Sequence, residues 1–260
     1  MTSPTVTREA TAEAPQPSYN IQGREVRLPV EVRDSSAAVA YYFVSASAAQ
    51  KLIDATGLRI AQIVPGRTVC TIGTMNYKDG DLGRYHEIAL TFFVHEKNSR
   101  SLPLVGALWS MLRGKLSTYV HQLPVDDEFA CEAGQTIWGL PKRMSQIDIS
   151  DDGERETAVL SIDGEHVLTQ SMRMGGSRQF GEREQISYGL RGGVLYRAAS
   201  EMRGEDVGAR MGAATLELGT HPLAEEFRSL GLPKRALFTT YMSKMILRFH
   251  GAEKTRLEER

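Results

Sequence analysis

The chain has 260 residues, 41% of them apolar and 24% charged, with a formal net charge of −1 at pH 7. Lys and Arg are scattered, which excludes a nucleic-acid-binding surface, and no apolar run approaches the ~20 residues that span a bilayer. Two cysteines, Cys70 and Cys131, are too few for a disulfide framework or a zinc cluster and fit a reducing, cytoplasmic setting.

Residues 1–18 are rich in Thr, Ala, Pro and Glu. They lack the basic start and apolar centre of a signal peptide, which predicts a disordered tail. Residues 26–32 alternate apolar and polar side chains, and 41–44 are aromatic and β-branched; both are strand signals. Ser45 is placed to cap a short helix that runs through Ala55 and stops before Gly57. Residues 58–64 and 67–77 read as strands around the Pro65-Gly66 turn, and 78–81 as another turn. Residues 85–95 are strongly strand-like, with Ile88, Leu90, Phe92 and Val94 on one face.

Leu104, Val105, Leu108, Trp109 and Leu112 have helical spacing. Strands are expected at 118–123 and 157–167, and a loop at 171–181 around Gly175-Gly176. Pro222 starts a helix whose apolar face carries Leu223, Phe227 and Leu230, and Gly231 and Pro233 stop it. Residues 238–249 are an apolar segment, helical or extended, and 253–260 a charged tail. Many strands, few helices and no Gly-rich strand-to-helix turn argue against a doubly wound α/β sheet. The expected class is α+β, an antiparallel β-barrel-like core with peripheral helices, as one domain over residues 19–252.

Chemistry concentrates in the run from Ala133 through Gly134, Trp138, Gly139 and Pro141 to Lys142 and Arg143. An amine attacks a carbonyl only when neutral, and a free lysine with pKa near ~10.4 is almost wholly protonated at neutral pH. An apolar pocket and a neighbouring cation both favour the neutral amine. Trp138 and Leu140 can supply the first and Arg143 the second if it points the same way, which suggests Schiff-base formation on a carbonyl substrate. A surface lysine after a turn is equally compatible with the residue types alone. Gly-Leu-Pro-Lys-Arg recurs at 231–235, so Lys234 is a second candidate. Its place at a helix end suits a solvated cation that complements the helix dipole.

The run Gln135 to Lys142, with its Trp-Gly-x-Pro-Lys core, resembles the segment around the Schiff-base lysine of the acetoacetate decarboxylase superfamily. The resemblance extends, less sharply, from about Gln22 to about Gly251, and it implies a β-barrel-like α+β domain that assembles into homo-oligomers. Gly83-Arg84-Tyr85-His86-Glu87 is similar to the family's Gly-x-Tyr-x-Glu element. This implies that Glu87 reaches the active site and handles protons, with Tyr85 beside the substrate. Arg24 resembles the family's carboxylate-binding arginine, with Arg27 as the alternative. By the same resemblance Lys142 is the nucleophile, helped by Arg143 and Trp138.

Two departures stand out. The decarboxylases carry a second glutamate about fifteen residues before the first, where counting back from Glu87 reaches Ile72. They also carry Lys-Lys where this chain has Lys142-Arg143. Arginine keeps the positive charge, so lysine activation survives, while decarboxylation of acetoacetate itself is put in question.

The implied activity is a Schiff-base lyase acting on a small oxo acid, with decarboxylation as the leading reaction. The alternatives are an aldolase, dehydratase or hydrolase on a larger oxo acid, or a non-catalytic binding protein. No cofactor is indicated. His86, His95, His121, His166, His221 and His250 lack ligand spacing, so no metal site is expected. The expected partner is a small oxo acid, with neither nucleic acid nor membrane.

Overall fold

In the computed structural model, residues 17–95 and 116–256 are described. A hairpin of β1 (Ser18–Ile21) and β2 (Arg24–Arg27) leads into the sixteen-residue β3 (Val30–Ser45). Ser45 then caps α1 (Ala46–Ile53), its hydroxyl accepting from the Ala48 N–H at 3.3 Å. A 3-10 turn over Asp54–Thr56 ends at Gly57, so this helix stops where expected. The strand expected at 58–64 shrinks to β4 (Arg59–Ile60), because Ile63 and Val64 turn to Arg67 instead.

β5 (Arg67–Gly80) and β6 (Tyr85–His95) form a hairpin. β5 runs through Gly80, so the turn begins only at the end of the expected 78–81 window, with the Gly83 N–H on the Gly80 carbonyl. The helical spacing at Leu104 to Leu112 falls outside the described residues. β7 (Ser117–Val125) leads to α2 (Glu128–Trp138), capped by the Asp127 side chain on the Ala130 N–H at 2.8 Å.

β8 (Lys142–Met144) and β9 (Gln146–Asp151) follow. The single strand expected at 157–167 is instead a hairpin, β10 (Arg155–Ile162) and β11 (Glu165–Arg173), turning at Asp163-Gly164. β11 and β12 (Arg178–Arg191) take the two ends of the expected 171–181 loop, and β12 runs on to pair with β13 (Val194–Met211).

β14 (Ala214–Leu218) precedes α3 (Pro222–Ser229), whose Leu223 and Phe227 are buried together with Leu230, as expected. The 238–249 segment is extended, as part of β15 (Phe238–Arg256). Glu253 and Lys254 pair with Arg197 and Tyr196, so the charged tail starts later than 253.

β6, β5, β3, β15, β13, β12 and β7 lie side by side in that order, and a β6–β7 pairing closes the ring into a seven-strand barrel. β4 and β8 extend it beside β6 and β7. The chain is thus α+β with a closed barrel core, and three α-helices are seen among the described residues. None of them is long and apolar enough to cross a membrane.

Strand alternation sorts the side chains to two sides of this wall. Tyr42, Cys70, Ile72, Leu90 and Phe92 face a separate sheet of β9, β10, β11 and β14, packing on its Leu160, Ile162 and Leu168. Farther round the ring the same outer parity carries Glu201, Arg203, Lys244 and Arg248, charged and not buried. The opposite parity points inward. There Val30, Val32, Ala37, Tyr77, Tyr85, Ala198 and Met245 pack on Ala130, Ala133 and Ile137 of α2, which fills the barrel.

Candidate active site

α2 and the three-residue β8 place Lys142. The helix ends at Gly139, whose left-handed φ of 58° returns the chain toward the barrel wall. A side chain there would overlap the Tyr196 ring, so the turn needs glycine for space as well as for φ. β8 then runs parallel to β7, with Lys142 opposite Leu123. The Lys142 stem folds back over Gly134 of the helix just left, and a Cβ on that glycine would collide with Lys142 Cδ and Cε. The Gln135 side-chain amide donates to the Lys142 carbonyl at 2.7 Å and fixes the backbone as well.

Lys142 Nζ forms an ion pair with Glu87 Oε1, and the side chains are only 3% and 5% exposed. The ammonium also lies 5.0 Å from the centroid of the Tyr85 ring. Glu87 Oε2 accepts from the Tyr77 hydroxyl at 3.1 Å, and the Tyr77 and Tyr85 rings stack at 4.3 Å. Burial and, second, the Glu87 charge hold both phenols well above the usual tyrosine range. Tyr77 therefore stays a donor to the carboxylate. Two ions taken out of water cost several kcal/mol each, and a pair repays this only with good geometry. Such a pair is weak as a stabilising device and well suited to exchanging a proton.

The expected companions divide. Glu87 and Tyr85 meet Lys142. Arg143 follows Lys142 along β8, faces the other side and is exposed. Trp138 is buried at the end of α2; its Nε1–H donates to the His250 carbonyl at 2.7 Å and its ring packs on Phe249. No contact with Lys142 is seen for either residue. Arg24 sits on the exposed hairpin, donating to the Asp81 carbonyl at 2.6 Å and lying over the Phe129 ring. Arg27 pairs with Glu25. Neither arginine is brought to the Lys142–Glu87 pair.

Ile72 also needs correction as the counterpart of the missing carboxylate. It belongs to the outer parity, under the second sheet, and the inward residues beside it are Thr71 and Gly73. Lys234 is half-buried and not a free cation at its helix end: Nζ donates to the Phe43 carbonyl at 2.8 Å, and burial lowers its pKa.

Tyr77, Gly134, Gln135 and Asp126 were not anticipated. Asp126 accepts from the His86 backbone N–H at 2.6 Å and meets His86 Nδ1 at 2.6 Å. It thereby ties the strand of Glu87 to the start of α2. Among the described residues no three His, Cys, Asp or Glu side chains gather as metal ligands.

A family model described as acetoacetate decarboxylase matches residues 13–255. No curated protein sequence matches significantly. Among solved structures, an acetoacetate decarboxylase superposes with a TM-score of 0.65 at 16% identity, over 89% of this chain and 91% of its own. Acetoacetate decarboxylase from Legionella pneumophila subsp. pneumophila str. Philadelphia 1 gives 0.62 at 13% identity, over 96% and 92%. The enduracididine biosynthesis enzyme MppR, complexed with pyruvate, gives 0.60 at 16% identity, over 88% and 91%. At these identities the likeness is one of fold.

Proposed function

The chain belongs to the acetoacetate decarboxylase family, and from that premise we propose that it is a Schiff-base lyase acting on an oxo acid. The observation that carries this reading is the Lys142–Glu87 ion pair sealed inside the barrel. Transfer of one proton from Nζ to Glu87 leaves a neutral amine, whose lone pair attacks the ketone carbon to give a carbinolamine. Glu87 returns its proton to the carbinolamine oxygen, water leaves, and the nitrogen lone pair forms the iminium. Tyr77 holds the carboxylate in line through both transfers.

The iminium then accepts the electron pair released when a neighbouring carbon–carbon bond breaks. Loss of carbon dioxide is the simplest such step. A second reading, aldol or dehydration chemistry on a larger oxo acid, is favoured by the inward face of β5. That face offers Thr71, Gly73 and Met75 and no carboxylate. MppR, of the same fold, has been seen with pyruvate and with the condensation product of pyruvate and imidazole 4-carboxaldehyde.

Borohydride reduction in the presence of pyruvate or acetoacetate, followed by peptide mapping, tests the imine. A reduced adduct on Lys142 is expected. Folded protein with no adduct on any lysine would leave a binding protein as the better description, and an adduct on Lys234 would move the chemistry to the other copy of the motif.

A further inference from the structure

The inward faces of β5 and β6 are arranged in rungs. Met75 pairs with Glu87, then Gly73 with Ala89, then Thr71 with Thr91. The Gly73–Ala89 rung presents one methyl group, beside Val39 of β3. The next rung is polar: Thr71 Oγ1 and Thr91 Oγ1 lie 2.6 Å apart. Tyr41 pairs with Thr71 across β3 and β5, and Thr240 of β15 pairs with Val39 beside it. Four adjacent strands thus carry a belt of hydroxyls on the barrel wall. Among the described residues, Thr91, Val39, Tyr41 and Thr240 face inside and yet keep part of their accessibility.

The Thr71–Thr91 bond uses only one of the two hydroxyl hydrogens, so the pair keeps a donor for a ligand. One rung separates the belt from that of Glu87, and the four residues from Glu87 to Thr91 span roughly 14 Å at about 3.4 Å per residue. Pyruvate or acetoacetate held at Lys142 falls well short of that span. The belt itself holds Thr, Thr, Tyr and Thr, with no charge to meet an ion, and burying an unpaired ion is costly.

We propose that this hydroxyl belt is a distal subsite, and that the oxo acid taken by Lys142 is an elongated one whose far end carries a neutral hydrogen-bonding group such as a hydroxyl. This rests on the Schiff-base reading and specifies its substrate. The Gly73–Ala89 rung is the passage for the chain, and the belt sets the preferred length and terminal polarity. A site built to hydrogen-bond a ligand hydroxyl rejects the analogue that lacks it, because its own polar groups are then left unanswered.

The test compares borohydride trapping by pyruvate, 2-oxooctanoate and ω-hydroxy-2-oxooctanoate. The hydroxy acid should half-saturate trapping at a concentration about tenfold below that of 2-oxooctanoate. In Thr71→Val and Thr91→Val, which keep side-chain shape, the ratio should fall toward one through weaker trapping of the hydroxy acid. Ala89→Leu should raise the half-saturation of both eight-carbon acids relative to pyruvate. Trapping of pyruvate with no preference between the longer acids overturns the subsite and leaves the imine chemistry in place. Failure of all three acids to trap on folded protein overturns the Schiff-base reading and the subsite with it.

Discussion

Lys142 lies across Gly134 so closely that the glycine's missing side chain is the space the lysine stem occupies. The two residues are eight positions apart, and Gly139 makes the reversal between them. The helix that fills the barrel is therefore also the seat of its buried amine.

Gly134→Ala is expected to displace the Lys142 ammonium from Glu87. Ala is favoured over Gly within a helix by about 1 kcal/mol, which offsets part of an overpacking cost of about 1–3 kcal/mol. The melting temperature should move little, while misplacement by about 1 Å slows imine formation on the order of 100-fold. Single-turnover trapping beside a thermal melt checks this, and an unchanged trapping rate would sink the seating role.

The buried pair is predicted to serve chemistry at the expense of stability. Lys142→Met alone leaves Glu87 unpaired and should cost about 3–5 kcal/mol. Combining it with Glu87→Leu should restore or exceed the parent stability, because neither desolvated ion remains. Glu87→Gln should slow imine formation by about 10²–10⁴-fold through loss of the proton acceptor. Urea unfolding of the single and double variants is the check; a double variant weaker than either single one would show the pair to be structural.

Asp126 should act through its neighbours. Asp126→Ala frees the His86 segment and is expected to slow trapping about tenfold, with no change in which lysine is modified. Asp126→Asn keeps an acceptor for the His86 backbone N–H and should recover much of the rate. Equal defects in both variants would assign the effect to charge and not to the tether.

Glu156 predicts a pH dependence of stability remote from the site. Burial, reinforced by the Asp151 charge, pushes its carboxyl up to about 7 from an ordinary 4.5. A carboxyl that holds its proton more tightly when folded disfavours folding as pH rises. The cost is absent below about pH 4.5, grows between the two values and is complete above about pH 7. Glu156→Gln should thus match the parent at pH 4 and exceed it at pH 8, by at most roughly 3 kcal/mol. Denaturant unfolding at both pH values decides it, and a gain independent of pH would be the wrong result.

Much of the barrel was legible where local rules act alone. Ser45 as a cap, Gly57 and Gly231 as stops, and the alternation of residues 85–95 all describe what the chain does. The long β12–β13 hairpin escaped because α2 fills the barrel against it. Its inward residues include small or polar ones such as Gly189, Ala198, Ser200 and Gly204, and only the short outward alternation Ile186, Tyr188 and Leu190 marks it as a strand.

In the site, Lys142, Glu87 and Tyr85 could be found from residue types and motif. Tyr77 could not, because its meeting with Tyr85 depends on where the β5–β6 turn lies. A turn placed at 78–81 throws the register off. Ile72 failed for a related reason: a count along the chain ignores that neighbouring strand residues face opposite sides. Arg143 failed the same way, one position after a lysine that points inward.

The ring of seven strands includes β15, the last strand of the chain, which pairs with β3 near the first. Until that strand is in place the wall stands open between β3 and β13, and the interior that holds Lys142 is open to water. An amine in water at neutral pH is protonated and inert toward ketones. On the Schiff-base reading, the proton exchange that Glu87 offers is set up only when β15 completes the enclosure, and before that the amine stays inert.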